Sequence, residues 1–422
     1  MMKKTYKSAL AAGCAAIAAT SIFTTQAYSA GFAVREQSAE FQGMSFAGAA
    51  AGGQGLSSMF FNPATITLHG GLMVEADGGL IFPYSEADDA GFAPNTPAPG
   101  LSNSDNICQN AFVPSTYLSY QLDEVFYVGL TINAPFGLVT EAGFYAGNPV
   151  ANDSEVFDIA ATAIVGAKLS DKLSVGVGAQ VHYVDVELTS SLAPGSNRDQ
   201  VRLQGDDWGV GFVVGVLYEL SPSTHIGIGY RSKVDLELQG NLEVPGPNSP
   251  AEASLELPAT ATLSVRQVLT DRVTVTGTVE WAEWSSLKNL TALGPGGVVL
   301  IDQPFRWKDS WHFALGAEYQ WSEALTVRAG GAYEISGVPD STRSPRVPDN
   351  DRIWLSAGAS YTVNNWLSVH AAYSHIFVED GDVGLTPPDV PTPLFATFEQ
   401  DVDIVSVSAT VNLGILGAYL FR

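Results

Sequence analysis

The residues of this chain that could do chemistry are few, and their spacing speaks against catalysis. The six histidines are scattered; His370 and His375 stand five apart, which puts them on opposite faces of a strand. No nucleophile motif and no metal-ligand spacing occurs, so no enzyme, metal or cofactor is expected. The cations suggest binding instead. Arg231, Arg306, Lys308 and Arg328 sit on predicted strands, with Arg231 and Arg328 on polar phases, and a cation at one end of an apolar pocket suits a carboxylate. Pairing with nearby acids is the structural alternative for each. Two backbone-breaking clusters add to this. Asn133-Ala134-Pro135-Phe136-Gly137 interrupts an apolar run. Proline lacks a ladder donor and glycine favours a bulge, so the cluster predicts either a ruptured strand or the start of a loop. Asn62-Pro63-Ala64 reads as an Asx-Pro turn.

The elements that must position these residues are long alternating runs. Short polar turns at Asp123, Asp171, Pro222, Asp271, Glu323 and Asn365 recur at nearly equal spacing. In the last run Val405, Val407, Ala409, Val411, Leu413, Ile415, Gly417, Tyr419 and Phe421 share one face against Ser406, Ser408, Thr410 and Asn412. After Asp171, the set Leu173 to Tyr183 opposes Ser174, Gly176, Gln180 and His182. Ile226, Ile228, Tyr230, Val234, Leu236 and Leu238 form a third such face. Strands of soluble sandwiches run about 5–6 residues; these reach the roughly 9–11 a tilted strand needs to cross a bilayer. They predict an all-β transmembrane protein, one face of each strand toward lipid and the other toward a lumen. Stretches 85–111, 191–205, 242–253, 290–303, 337–351 and 380–399 read as external loops. Counting from residue 70 gives seven hairpins, hence a 14-stranded antiparallel β-barrel with both ends periplasmic. Tyr218, Tyr319, Trp321, Tyr361, Trp366 and Tyr419, near the short turns or the C-terminus, suit an interfacial girdle.

Composition and targeting agree. Residues 1–29 read as a secretory signal: Lys3, Lys4 and Lys7, an apolar stretch, then Ala27-Tyr28-Ser29. Ala11 stands where a lipobox wants Leu, which argues against lipidation at Cys14. Cys108 is then the sole mature cysteine, so no intramolecular disulfide is possible. Without the leader, 17 basic residues face 44 acids, a net charge of −27 that repels nucleic acid. Acidic runs such as Glu379-Asp380-Gly381-Asp382 could bridge divalent ions to lipopolysaccharide, or simply be solvated. Residues 30–69 differ from the rest. They are rich in Ala, Gly, Ser and Gln and predict short helices broken at Gly43, Gly48 and Gly52-Gly53, either as a loose leader or as a plug in the lumen. Residues 70–422 make the barrel.

In order along the chain, several fragments resemble the FadL family of outer-membrane transporters of long-chain fatty acids and other hydrophobic compounds. They are Ala30-Gly31-Phe32, Phe61-Asn62-Pro63-Ala64-Thr65-Ile66, Trp208-Gly209-Val210-Gly211, Tyr230-Arg231-Ser232-Lys233-Val234, Trp307-Lys308-Asp309 and Pro348 to Gly358. The resemblance implies a small helical N-terminal hatch and passive uptake across the outer membrane of a Gram-negative bacterium. Ligand would pass from an external groove to an internal apolar pocket and leave sideways beside a kinked third strand. It implies Phe32, Lys308, Arg231 and Phe136 as ligand-binding, Asn62, Pro63 and Ala64 as a hatch motif bonding to the kink, and Asn133, Pro135 and Gly137 as a lateral gate. The segment His182 to Leu188, where basic residues of the family would fall, departs from its pattern and leaves neutral ligands open. A hydrophobic small molecule, outer-membrane lipid and lipopolysaccharide are the expected partners, and a monomer the expected state. An aromatic-hydrocarbon channel, a general porin and a structural barrel are the alternatives.

Overall fold

The alternating runs close on themselves. The computed structural model describes residues 31–92, 97–196, 198–385 and 393–420, the last three by backbone alone; the predicted leader, Phe421 and Arg422 lie outside them. Fourteen antiparallel strands follow in order, several of them in two segments. They are β1 (Leu72–Gly91), β2 (Ala111–Gln121), β3 (Phe126–Asn133 and Gly137–Glu141), β4 (Asp153–Ser170), β5 (Leu173–Ser190), β6 (Val201–Ser221) and β7 (Thr224–Arg231 and Val234–Glu243). Then come β8 (Ser249–Leu257 and Thr260–Val268), β9 (Val273–Ala282 and Asn289–Gly294), β10 (Val298–Pro304 and Ser310–Gln320), β11 (Leu325–Ile335), β12 (Arg352–Asn364), β13 (Leu367–Val378 and Gly381–Leu385) and β14 (Leu394–Asn412). β1 pairs with both β2 and β14, from Met73 against Asn412 up to Gly91 against Phe395, which leaves no edge for lipid to meet.

Chemistry changes sides part-way up the wall. On the lower part of β5 the apolar set points out and Ser174, Gln180 and His182 are buried inward; from Val184 upward Val184 and Val186 point in while Asp185 and Glu187 face out. β14 does the same: Val405 and Val407 face out, Ile404 and Val402 in. The inversion marks where the outside changes from lipid to water. On β7 this corrects the single face expected from Ile226 to Leu238. Ile226, Ile228 and Tyr230 lie on the outward phase, but Val234, Leu236 and Leu238 are buried inward, because the strand breaks at Ser232-Lys233 where it leaves the membrane.

Three further expectations are corrected. Of the expected loops, 85–91 within 85–111, 201–205 within 191–205, most of 242–253 and 290–303, and 381–385 with 394–399 within 380–399 are strand, since the sheet continues above the membrane; 142–152 is a further external connection that the alternation does not reveal. The last strand stops at Asn412, whose Oδ1 accepts the Ile415 amide at 3.0 Å and starts a helix, α3 (Leu413–Leu420), so the strand alternation expected through residue 421 ends at Asn412. The side chains of Tyr419 and Phe421 lie outside the described residues.

Residues 31–69 fill the lumen. They form α1 (Ala39–Gln42), a 3₁₀ turn Ala49–Ala51, α2 (Ser58–Phe61) and a 3₁₀ turn Pro63–Leu68, separated at Gly43, at Gly48 with φ 84° and at Gly52 with φ 90°. Phe41, Met44, Phe46 and Leu56 are buried. The inward polar phases serve as partners: Arg328 bridges Glu40 at 3.0 Å and Glu318 at 2.9 Å, and the Ala50 amide donates to Ser264 Oγ at 3.0 Å. Arg328 is therefore an anchor of the plug, the structural alternative raised for it.

Two interruptions of the wall bear on function. Between β2 and β3 the ladder stops at Thr116 against Ile132, and the upper segment of β3 pairs with β4 alone among the strands. Between β6 and β7 it stops at Val213 against Arg231 and resumes only at Asp206 against Gln239.

Candidate functional site

The first interruption is where Pro135 removes a donor from β3, and the chain turns inward over Ala134–Phe136. The amino-terminal residues lie against it as an added strand. Val34 N donates to Pro135 O at 2.8 Å and Gly137 N to Phe32 O at 2.9 Å, with a bridge between Ala33 and Phe136. Gln37 completes the closure. Its Nε2 donates to Ala134 O at 2.7 Å, its Oε1 accepts from Ser115 Oγ at 2.7 Å and Asn133 Nδ2 at 3.2 Å, and its carbonyl accepts Tyr117 OH at 2.6 Å. The Ala134 and Pro135 carbonyls and the Gly137 amide thus find their partners in the plug.

Asn62 does not bond to this kink, contrary to expectation. Its Nδ2 donates to Ala50 O at 2.7 Å and Val216 O at 3.0 Å, and its Oδ1 caps the following turn by accepting Ala64 N at 3.0 Å. It docks the plug on β6, where the inward phase is glycine: a Cβ on Gly215 would lie 2.0 Å from Asn62 Oδ1, and one on Gly229 of β7 1.8 Å from Phe61 O.

Phe32 and Phe136 do come together. Their rings are 6.0 Å apart edge-on, and Trp284 packs on Phe32 at 4.7 Å. Below them lies a cavity of about 50 Å³ lined by Val34, Phe60, Phe61, Pro63, Pro135, Phe136, Val213, Tyr230 and Arg231. That is room for a water or two, so an acyl chain requires the plug to shift. Arg35, Glu280 and Arg231 are the charged residues of its lining; the Arg231 guanidinium donates to Gln180 Oε1 and to Phe60 O at 3.0 Å, and sits 4.3 Å from the Phe60 ring centre, with no carboxylate in ion-pair reach among the described residues. Lys308 is not part of it. Trp307 takes the inward position, buried on Trp284, which turns Lys308 out to solvent; Arg306 is exposed as well.

Arg35 binds Glu280 at 2.8 Å and Glu334 at 3.0 Å, fixing the plug beside the cavity. Glu36 next to it is buried with neither carboxylate oxygen hydrogen-bonded among the described residues, and burial pushes it up to about 7 against the pull of Arg35. Sequence reasoning missed Gln37, Trp284 and Glu36. A glutamine and a glutamate in an Ala-rich leader carry no periodicity to reveal them.

A second cavity opens to the outside between the upper segments of β5 to β10 and the connection after β11. It measures about 780 Å³ and its lining includes Leu188, Leu203, Leu242, Leu290, Leu300, Phe305 and Arg346. It is the inward apolar phase above the membrane that makes this groove.

Comparison with known proteins settles the kinship. A family described as "Outer membrane protein transport protein (OMPP1/FadL/TodX)" matches residues 20–412. The chain belongs to this family. Among family members, the "47 kDa outer membrane protein" of Pasteurella multocida (strain Pm70) is 31% identical over 394 residues, covering 85% of this chain and 90% of its own. The "Long-chain fatty acid transport protein" of Escherichia coli (strain K12) is 27% identical over 418 residues, 88% of this chain and 91% of its own. In fold, the crystal structure of a Pseudomonas aeruginosa FadL homologue superposes with a TM-score of 0.83 at 24% identity, covering 91% of this chain and all of that one. The Ralstonia pickettii toluene transporter TbuX gives 0.64 at 19% identity, over 87% and 96%. With the barrel, the family places the protein in the outer membrane of a Gram-negative bacterium and among transporters and channels.

Proposed function

We propose that the chain carries long-chain fatty acids or similar hydrophobic molecules inward by passive diffusion. Ligand collects in the external groove, displaces the plug to enlarge the internal pocket beside Phe32, Phe136 and Arg231, and leaves through the wall at the broken β3. The observation that carries this reading is the pairing of Phe32–Val34 onto Pro135–Gly137. A wall opening closed by a separate, movable segment has the construction of a gate. Release into lipid suits an apolar cargo, whose surface then never meets the periplasm. Asn133, Pro135 and Gly137 form the gate in this scheme, and Asn62, Pro63 and Ala64 moor the plug to the far wall. A filled lumen speaks against a general porin, which needs an open eyelet. The barrel works as a monomer surrounded by lipid and lipopolysaccharide.

The test is to replace Pro135 and Gly137 by Val together, restoring ladder potential to β3. Uptake of radiolabelled oleate by cells should drop at least tenfold, while the barrel keeps its heat-dependent mobility on gels. Undiminished uptake by a correctly assembled variant would remove the gate from the scheme.

A further inference from the structure

Most of the arginines buried in the described structure are neutralised. Arg35 meets Glu280 and Glu334, Arg328 meets Glu40 and Glu318, Arg343 meets Asp340 at 2.9 Å, and Arg352 meets Asp349. Arg346, three residues from Arg343 in the same connection, is different. It is half-buried in the wall of the external groove, and its donors go to neutral oxygens: Nη1 to Asp153 O and Ser154 Oγ, both at 2.9 Å, and Nη2 to Thr189 O at 2.7 Å. No carboxylate lies within ion-pair distance of it among the described residues; that of Asp153, whose carbonyl it binds, attracts it from beyond that distance. These bonds hold the guanidinium plane without cancelling its charge. They use three of its five N–H donors. Nε–H and one Nη2–H remain, donors that can form the fork which receives a carboxylate through two parallel hydrogen bonds.

We propose that Arg346 anchors the carboxylate of a single-chain amphiphile in the external groove, with the tail lying on Leu203, Leu242, Leu290 and Leu300. The inference rests on the groove reading given above and narrows it to anionic ligands. Charge complementarity supports it: on a chain of net charge −24, a carboxylate needs a local cation to settle. Burial pulls the Arg346 guanidinium down to about 10, so it is still charged at neutral pH. The acid in the groove lining, Asp302, is already held at the exposed rim by Asn289 Nδ2 at 3.1 Å and Thr291 Oγ1 at 2.9 Å. The groove volume of about 780 Å³ suits a long chain, whereas the internal cavity of about 50 Å³ does not until the plug moves.

The experiment compares binding of oleate and of oleyl alcohol, equal in tail and different in charge, to full-length protein in lipopolysaccharide-free proteoliposomes, with protein-free vesicles as background. Arg346→Gln should weaken oleate about tenfold or more and leave oleyl alcohol within a factor of two. Arg346→Lys should recover part of the oleate binding. Leu300→Trp, which fills the groove, should weaken both ligands. If Arg346→Gln weakens both equally, or neither, while Leu300→Trp still weakens both, the anchor is refuted and the groove stands. If Leu300→Trp changes neither ligand, the groove itself is not a binding site and the anchor falls with it. Because the alcohol reports the shape of the groove in every variant, a collapse of the connection around residue 346 cannot pass for loss of the charge.

Discussion

The barrel wall is interrupted between β2 and β3 and again between β6 and β7, and the two gaps are closed in opposite ways. At the first, the groups that close the break at Pro135 come mainly from outside the wall: Phe32, Val34 and Gln37 of the plug bond its backbone and Ala33 bridges Phe136, while higher up the Glu141 amide donates to Ile107 O of the connection before β2. At the second, β6 and β7 close the gap between themselves. Val234 and Leu236 lie against Gly209, and Asp207 Oδ2 accepts the Glu237 amide at 2.8 Å. A segment that belongs to another element can leave without tearing the sheet. A strand's own side chains cannot. The number of missing ladder bonds therefore says little about where a barrel opens; what matters is who supplies the replacements.

The largest effect that would separate the two gaps comes from Gln37→Leu. It strands Ala134 O and Ser115 Oγ without partners, and each buried orphan costs about 1–3 kcal/mol. Hydrogen exchange at the Gly137 amide should speed up by about a hundredfold, given that 1.4 kcal/mol is a factor of ten. The Ser232 amide, which donates to Phe212 O at 2.9 Å in the second gap, should keep its protection. Parallel acceleration at both amides would mean that the gaps open as one unit and that the distinction is empty.

A smaller effect is expected from the other side. A Cβ on Gly209 would meet Val234 Cγ1 at 2.2 Å, so Gly209→Val overpacks the second closure and should cost about 1–3 kcal/mol. A lower unfolding temperature with unchanged oleate uptake is the expected pair of results. Should uptake fall as far as in the Pro135 and Gly137 double variant, the β6–β7 gap would be a second passage.

How much of this was legible beforehand follows from the same physics. The lipid-facing alternation of Val405 and Val407, or of Leu173 to Tyr183, is a pattern that the bilayer imposes, so strand number and lumen side could be read directly. Above the membrane that constraint lapses. There the outward acids Asp185 and Glu187 resemble loop composition, so the strand extensions read as loops. Pro135 was readable because a missing N–H is a local property. Gln37 was not, since its importance lies in partners 78 to 97 residues away along the chain. Lys308 enters the ligand set on a resemblance alone, and its neighbour Trp307 takes the inward position instead. Arg346 left a signal that went unused: Arg343 and Arg346 are two cations in a connection of an otherwise acidic chain, and their different roles follow only from where Asp340 lies.

The last effect, the smallest per step of the variable changed, sharpens the comparison through pH. Glu36 lies in the plug segment of the first closure, between Arg35 and Gln37, and Arg35, Glu334 and Arg352 are the charges that face it. Burial lifts its carboxyl from 4.5 to about 7, so the closed plug binds a proton that the opened segment gives up. The closed form therefore has its full stability below about 4.5 and loses it as pH rises toward 7, by at most about 1.4 kcal/mol per pH unit, with no further change above. The ratio of exchange at the Gly137 amide to that at the Ser232 amide cancels the intrinsic pH dependence of exchange and should climb across this window. Glu36→Gln should hold it flat. Val234, Leu236 and Gly209 at the second gap carry no proton to release, and repeating the measurement in Asp207→Asn removes the one carboxylate named in that closure. A ratio that stays level would show that Glu36 is not part of what opens, and the segment that opens would then have to end before it, at Val34.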